Sequence, residues 1–263
     1  MSRLGDTFAA CRAAGRPALV VYLTFGDPTP ALSIDVIAAA IDAGADVIEL
    51  GVPFSDPSAD GAVIQAAMQR ALGAGAGLPG ALAAVRTLRD RGVAAPIVLF
   101  GYYNPPFVHG VERFAADAAT AGVDAVLTVD LPIEELDELR VPLAAHGVEV
   151  VPLLAPTSTP DRIARVRAIA PPFVYYISLT GVTGAALAGS HVDADRVAAV
   201  RDGAGAPVAV GFGIKTPDDA RAVGAIADGV VVGSAVVARI GDGDAAGAPA
   251  RVAELVRALR AAL

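Results

Sequence analysis

The stretch Val-Ile-Glu-Leu-Gly-Val-Pro-Phe-Ser-Asp-Pro-Ser-Ala-Asp-Gly, residues 47–61, sets the reading of the whole chain. Its first five residues are apolar except for one carboxylate, and alternation along a strand puts Glu49 on the face opposite Ile48 and Leu50. Either a barrel interior or a layer of helices therefore receives a carboxyl group. Such a group must be partnered, protonated or at a rim, because an unpaired buried charge is costly. The loop over 53–61 carries two prolines, which stiffen it, two acids and a terminal glycine. A helix starting near Ala62 follows, so the stretch is one strand–loop–helix unit.

The same unit repeats outward in both directions. Strands are expected at 19–24, 47–51, 97–101, 125–129, 149–154, 174–178, 208–211 and 229–233. Helical segments include 31–43, 111–121, 135–146, 161–170, 193–202 and 217–223. Eight strands alternating with helices read as a closed parallel (β/α)8 TIM barrel, one domain over 1–263. An amphipathic N-terminal segment adds an extra helix before the first strand. The Ala/Gly-rich stretch 71–81 reads as a tight helix-to-helix connection in an enlarged second βα unit, and a second such stretch, 241–250, precedes the last helix. The junctions Ala43-Gly44-Ala45-Asp46, Ala121-Gly122-Val123-Asp124 and Ala227-Asp228-Gly229 each end a helix and introduce a strand, with glycine suited to a left-handed cap. A doubly wound open sheet is the alternative. Its dinucleotide-binding form needs a glycine-rich fingerprint after the first strand, and Phe25-Gly26-Asp27-Pro28 is not one.

Composition narrows the function. The 263 residues are 54% hydrophobic and carry a formal charge of −8, with no basic stripe to neutralise nucleic-acid phosphates. No apolar run approaches the roughly 18 residues of a membrane span, and the N-terminus lacks a signal-peptide core. A soluble cytoplasmic protein is expected. Cys11 is the only cysteine, and His109, His146 and His191 form no ligand spacing, so neither a disulfide nor a metal site is expected.

In a TIM barrel the polar residues at the C-terminal strand ends build the active site. Here they are Thr24, Asp27, Glu49, Asp56, Asp60, Tyr102, Asn104, Asp130, Thr183, Gly211, Gly213, Gly233 and Ser234. Glu49 is the strongest candidate. Asp60 either caps the helix near Ala62 or faces a substrate, and Asp56 is equally a turn or partner contact. Gly-Phe-Gly-Ile (211–214) and Gly-Ser-Ala (233–235) end the last two strands, where barrels commonly hold phosphate on backbone N–H groups and a short helix N-terminus. Thr180-Gly-Val-Thr-Gly184 is a candidate third edge. A phosphorylated small substrate follows.

These residues together resemble the tryptophan synthase α subunit family. Glu49–Gly61 matches its signature closely. Thr24-Phe-Gly-Asp-Pro28, Tyr102-Tyr-Asn-Pro105, Asp130-Leu-Pro132, Ser178-Leu-Thr-Gly-Val-Thr-Gly184 and Gly211-Phe-Gly-Ile214 follow in the family's order, so the likeness covers nearly the whole chain. The resemblance implies a carbon–carbon lyase of tryptophan biosynthesis, which cleaves indole-3-glycerol phosphate to indole and glyceraldehyde 3-phosphate by a retro-aldol step. It implies Glu49 as general acid–base and Asp60 as partner of the indole N–H. It implies phosphate binding by Gly184, Gly213, Gly233 and Ser234, and a pocket of Tyr22, Phe100, Leu127, Val129, Leu153, Tyr175, Thr183 and Phe212. It also implies no cofactor in this chain and a pyridoxal-phosphate-bearing β subunit, joined as an αββα heterotetramer, that makes tryptophan from indole and serine.

The residues agree with that chemistry. Two carboxylates in unlike environments can protonate the ring and deprotonate the departing alcohol without a cofactor. A Schiff-base aldolase needs a lysine facing the barrel, and Lys215, the sole lysine, lies beyond Gly213-Ile214 in a loop. Leu179 stands where many family members carry Arg, and Tyr22, Phe100 and Val129 are bulkier or more polar than common occupants. Three rivals remain: a standalone lyase releasing indole, a noncatalytic subunit that only activates β, and a sugar-phosphate isomerase barrel. The last lacks the Glu–loop–Asp arrangement.

Overall fold

The computed structural model describes residues 2–177, 193–211 and 213–263. Strand β1 (Ala18–Thr24) pairs in parallel with β2 (Val47–Gly51) on one side and β9 (Gly229–Val232) on the other. Beyond β2 lie β3 (Ile97–Gly101), β4 (Ala125–Thr128) and β5 (Glu149–Val150). Beyond β9 lie β8 (Val208–Gly211), β7 (Val174–Ile177) and β6 (Leu153–Leu154).

The expected strand 149–154 is thus split in two, and Pro152 is the cause. Proline has no N–H to give to a ladder. Pairing with β4 stops where Val151 N donates to Val126 O, at 2.9 Å. Pro152 O then accepts from Tyr175 N on β7, at 3.0 Å. The two ends of the sheet are therefore the two halves of one broken strand, and this closes the barrel. Strand β4 also ends one residue earlier than expected, at Thr128.

Period-2 alternation sorts side chains into two cores. Val20, Tyr22, Val47, Val98, Phe100, Leu127 and Val231 fill the barrel interior. Leu19, Val21, Ile48, Leu50, Leu99, Val126 and Val230 face the helices. Because Glu49 alternates with Ile48 and Leu50, it joins the interior set, which settles the choice the sequence left open.

Twelve helices lie among the described residues: α1 (Arg3–Ala13), α2 (Pro30–Asp42), α3 (Ala62–Gly73), α4 (Leu78–Asp90), α5 (Asn104–His109), α6 (Val111–Ala121), α7 (Asp137–Ala145), α8 (Pro160–Ile169), α9 (Ala194–Ala204), α10 (Pro217–Gly224), α11 (Ser234–Gly241) and α12 (Ala248–Ala262). Both α3 and α4 fall between β2 and β3, as the enlarged second unit requires. Helices α2, α8 and α10 all begin Thr-Pro. The threonine hydroxyl accepts an N–H of the first turn, and proline occupies the position that needs no N–H partner. None of the described helices is long and apolar enough to cross a membrane by itself.

The face opposite the strand C-termini is plugged by α1, whose Leu4, Phe8 and Cys11 join the interior core. Phe8 stacks on Phe173 with ring centroids 4.9 Å apart. A Cβ at Gly229 would sit 3.1 Å from the Phe8 ring, so a bare residue is needed there. The junction aspartates complete this face. Asp46 accepts Leu19 N and a two-pronged contact from Arg16. Asp124 accepts Ile97 N, Arg3 and Arg89, and Asp228 accepts Val208 N and Arg201. Gly44 and Gly122 take the positive φ expected of them. The third junction does without one, since α10 ends through Ala225 in right-handed geometry.

Candidate functional site

Register determines what surrounds Glu49. Its partner on β1 is Tyr22, and its partner on β3 is Val98. The carboxyl group is fully buried, and neither oxygen has a hydrogen-bond partner among the described residues. Burial alone pushes its pKa up to about 8, because the charged form loses hydration and gains nothing in return. At neutral pH Glu49 is therefore mostly a neutral carboxylic acid. Such a group at a strand end, in a cavity, is suited to donating a proton.

Asp60 has a different setting. Tyr102, just past β3, donates its hydroxyl to Asp60 Oδ2 at 2.7 Å. Burial raises the Asp60 pKa, and this hydrogen bond opposes the rise. The side chain does not cap α3. Gly61 is the N-cap and supplies no side-chain bond, while Asp60 contributes only its carbonyl, to Gln65 Nε2 at 2.7 Å. The helix-cap reading of Asp60 is therefore set aside.

Both carboxyls line one cavity of about 630 Å³, counted to its open mouth, together with Tyr22, Ala59, Ile64, Phe100, Val129, Leu153, Tyr175, Ile177, Val231 and Gly233. Tyr22 meets Phe100 edge-on at 5.2 Å, and Phe100 lies 6.1 Å from Tyr175. The wall is a set of flat aromatic and branched apolar surfaces interrupted by two acids and two phenols. Gly51 and Gly211 are bare for a reason: a Cβ at either would lie 2.2 Å from the hydroxyl of Tyr22 or Tyr175.

Gly233 takes the same cavity to the N-terminus of α11, where Ser234 is the first helical residue. First-turn N–H groups have no partner within a helix and attract anions. Gly213, beyond β8, adopts φ 74°, a conformation glycine enters at no steric cost, but it is not on the cavity wall.

Of the expected pocket residues, Tyr22, Phe100, Val129, Leu153 and Tyr175 stand on the wall, whereas Leu127 is buried beneath it in the interior core. Gly184, Thr183 and Phe212 lie outside the described residues, as does Leu179. Other strand-end residues have structural partners. Asp27 is clamped by Arg70 through two bonds of 2.8 Å, and Asp130 accepts Tyr103 N. Asp56 is exposed, and Asn104 begins α5. Lys215 is exposed and off the cavity wall, which leaves Schiff-base chemistry without a residue here. Sequence reasoning missed Ile64, Val231 and the link from Tyr102 to Asp60. The alternation Val98, Phe100, Tyr102 pointed Tyr102 inward and was the available signal.

Comparison with known proteins gives one family. The model of the family "Tryptophan synthase alpha chain" matches residues 8–262. The tryptophan synthase alpha chain of Geobacter sulfurreducens is 51% identical over 263 residues, covering 100% of this chain and 99% of the relative. That of Thioalkalivibrio sulfidiphilus is 51% identical over 242 residues, 92% and 91% of the two chains. Among solved structures, the alpha chain from Legionella pneumophila superposes with a TM-score of 0.90 at 34% identity, over 100% of this chain and 97% of the other. A chain of Mycobacterium tuberculosis tryptophan synthase does so at 0.90 and 37%, over 99% and 98%.

Proposed function

This chain belongs to the tryptophan synthase alpha chain family, a lyase of tryptophan biosynthesis that converts indole-3-glycerol phosphate to indole and glyceraldehyde 3-phosphate, and from that premise we propose how its residues divide the work. Neutral Glu49 donates its proton to indole C3. The ring becomes an indoleninium cation, an electron sink for the bond about to break. The Glu49 carboxylate so formed takes the proton of the glyceryl C3′ hydroxyl, the C3–C3′ bond cleaves to give the aldehyde, and its electron pair returns to the ring as indole. One proton leaves Glu49 and one comes back, so the acid is regenerated. Asp60, ionised, accepts the indole N–H and stabilises the positive charge developing on that nitrogen.

Ser234, Gly233 and Gly213, with Gly184, hold the phosphate, and Tyr22, Phe100, Leu127, Val129, Leu153, Tyr175, Thr183 and Phe212 form the indole pocket. The observation that carries the reading is a single cavity joining a buried Glu49 with no hydrogen-bond partner among the described residues, the tyrosine-held Asp60 and the N-terminus of α11. The protein works in the cytoplasm without a cofactor of its own. It pairs with a pyridoxal-phosphate β subunit in an αββα heterotetramer, and the exposed Phe107 and Val108 on α5 are apolar surface of the kind a partner covers.

Indole release by the isolated chain tests the assignment. Glu49→Gln is expected to lose at least about 1,000-fold in kcat and Asp60→Asn about 100-fold, within the range for acid–base and electrostatic groups, with folding by circular dichroism unchanged. Normal turnover in Glu49→Gln sinks the mechanism. Cleavage that is slow alone and faster with β supports the subunit over the standalone lyase.

A further inference from the structure

Tyr102 is not among the residues of the cavity wall, yet it is tied to Asp60 and Ala59, which are. Its hydroxyl donates to Asp60 Oδ2 at 2.7 Å and accepts from Ala59 N at 2.9 Å. Its ring is buried and lies against Phe54, centroids 5.1 Å apart. One side chain, rooted beside β3, thus grips the loop 53–61 near its start and at its end. Among the described residues, these are the only side-chain hydrogen bonds joining that loop to anything beyond itself and α3. The other oxygen of Asp60, Oδ1, receives no hydrogen bond from a described residue, so the grip leaves it available to a ligand.

We propose that Tyr102 is the positioning residue for Asp60: by donating to Oδ2 and anchoring Ala59 N, it fixes the carboxyl group with Oδ1 turned to the indole N–H. This rests on the reading of Asp60 given above. The titratable groups facing Asp60 are Tyr22 from β1, Glu49 from β2, Tyr102 and Tyr175 from β7. No arginine, lysine or histidine is on the cavity wall among the described residues. Among the described residues the phenol is then the one hydrogen-bond donor to the Asp60 side chain, and its removal lets burial raise the Asp60 pKa further.

The test is the pH profile of kcat with saturating indole-3-glycerol phosphate for wild type and Tyr102→Phe, which keeps the ring on Phe54. The acid limb of the variant moves up by about one pH unit, with activity recovering toward its plateau above the limb. Site-specific 3-fluorotyrosine at 102, a more acidic phenol and stronger donor, moves the limb down, and it serves if the phenylalanine variant folds poorly. A limb that stays at the wild-type pH in either protein overturns the proposal, even if the plateau falls, because a merely structural tyrosine lowers the plateau alone. Asp60→Asn separates the two failures. Full activity there removes Asp60 from the reaction, whereas a slow Asp60→Asn with an unmoved Tyr102→Phe limb removes only the role of Tyr102.

Discussion

Glu49 and Asp60 are both buried carboxyls, and what distinguishes them is a single hydrogen-bond donor. Glu49 has none among the described residues, so burial decides its state and pushes its pKa up to about 8. Asp60 has Tyr102. The arrangement costs stability in a pH-dependent way. The Glu49 pKa is raised in the folded chain, from 4.5 to about 8, so its stabilising share is fully present below about pH 4.5. That share is lost as pH rises through the window to about 8 and stays lost above it. Glu49→Gln removes this slope. Urea denaturation is expected to find the variant more stable than wild type by on the order of 5 kcal/mol at pH 8.5, with the gap closing toward pH 4. A gap that is the same at both pH values would mean that Glu49 is not held neutral. The position and burial of Glu49 were legible in sequence, because a lone acid in an alternating apolar strand has few alternatives. That the Asp60 side chain does not cap α3 was not, since local spacing allows a cap and its observed partner, Tyr102, lies 42 residues on.

At the scale of elements the molecule separates chemistry from stability. The C-terminal strand ends carry the two acids and the N-terminus of α11, while the opposite ends carry the junction aspartates and α1. Sequence periodicity located nearly every strand and helix because interior and helix-facing residues differ so regularly. It merged β5 and β6, since Leu-Leu beyond Pro152 is as apolar as the residues before it. The missing N–H matters only once the neighbouring strands are known. The junction aspartates were visible as a repeat, but their arginine hydrogen-bond partners lie up to 214 residues away. Asp124 is nearly buried and serves Arg3, Arg89 and Ile97 N together. Asp124→Ala is therefore expected to cost about 3 kcal/mol, as when one partner of a buried pair is removed, read as a lower urea midpoint. The kcat of the folded variant is expected to be unchanged. A collapse of kcat with unaltered stability would place Asp124 in the reaction and contradict the division between faces.

The whole molecule is a barrel closed through one proline-broken strand, with a neutral acid inside its mouth and apolar side chains exposed on α5 beside it. The role proposed for Glu49 has this chain perform the cleavage itself and not only assist a partner. The most direct measurement is tryptophan formation by the complex with a β subunit, comparing wild type and Glu49→Gln with two starting materials. Given indole and serine, both complexes are expected to make tryptophan at the same rate, which shows that the variant folds and docks. Given indole-3-glycerol phosphate and serine, wild type makes tryptophan and the variant makes none. Tryptophan from indole-3-glycerol phosphate at the wild-type rate in the Glu49→Gln complex would contradict the account.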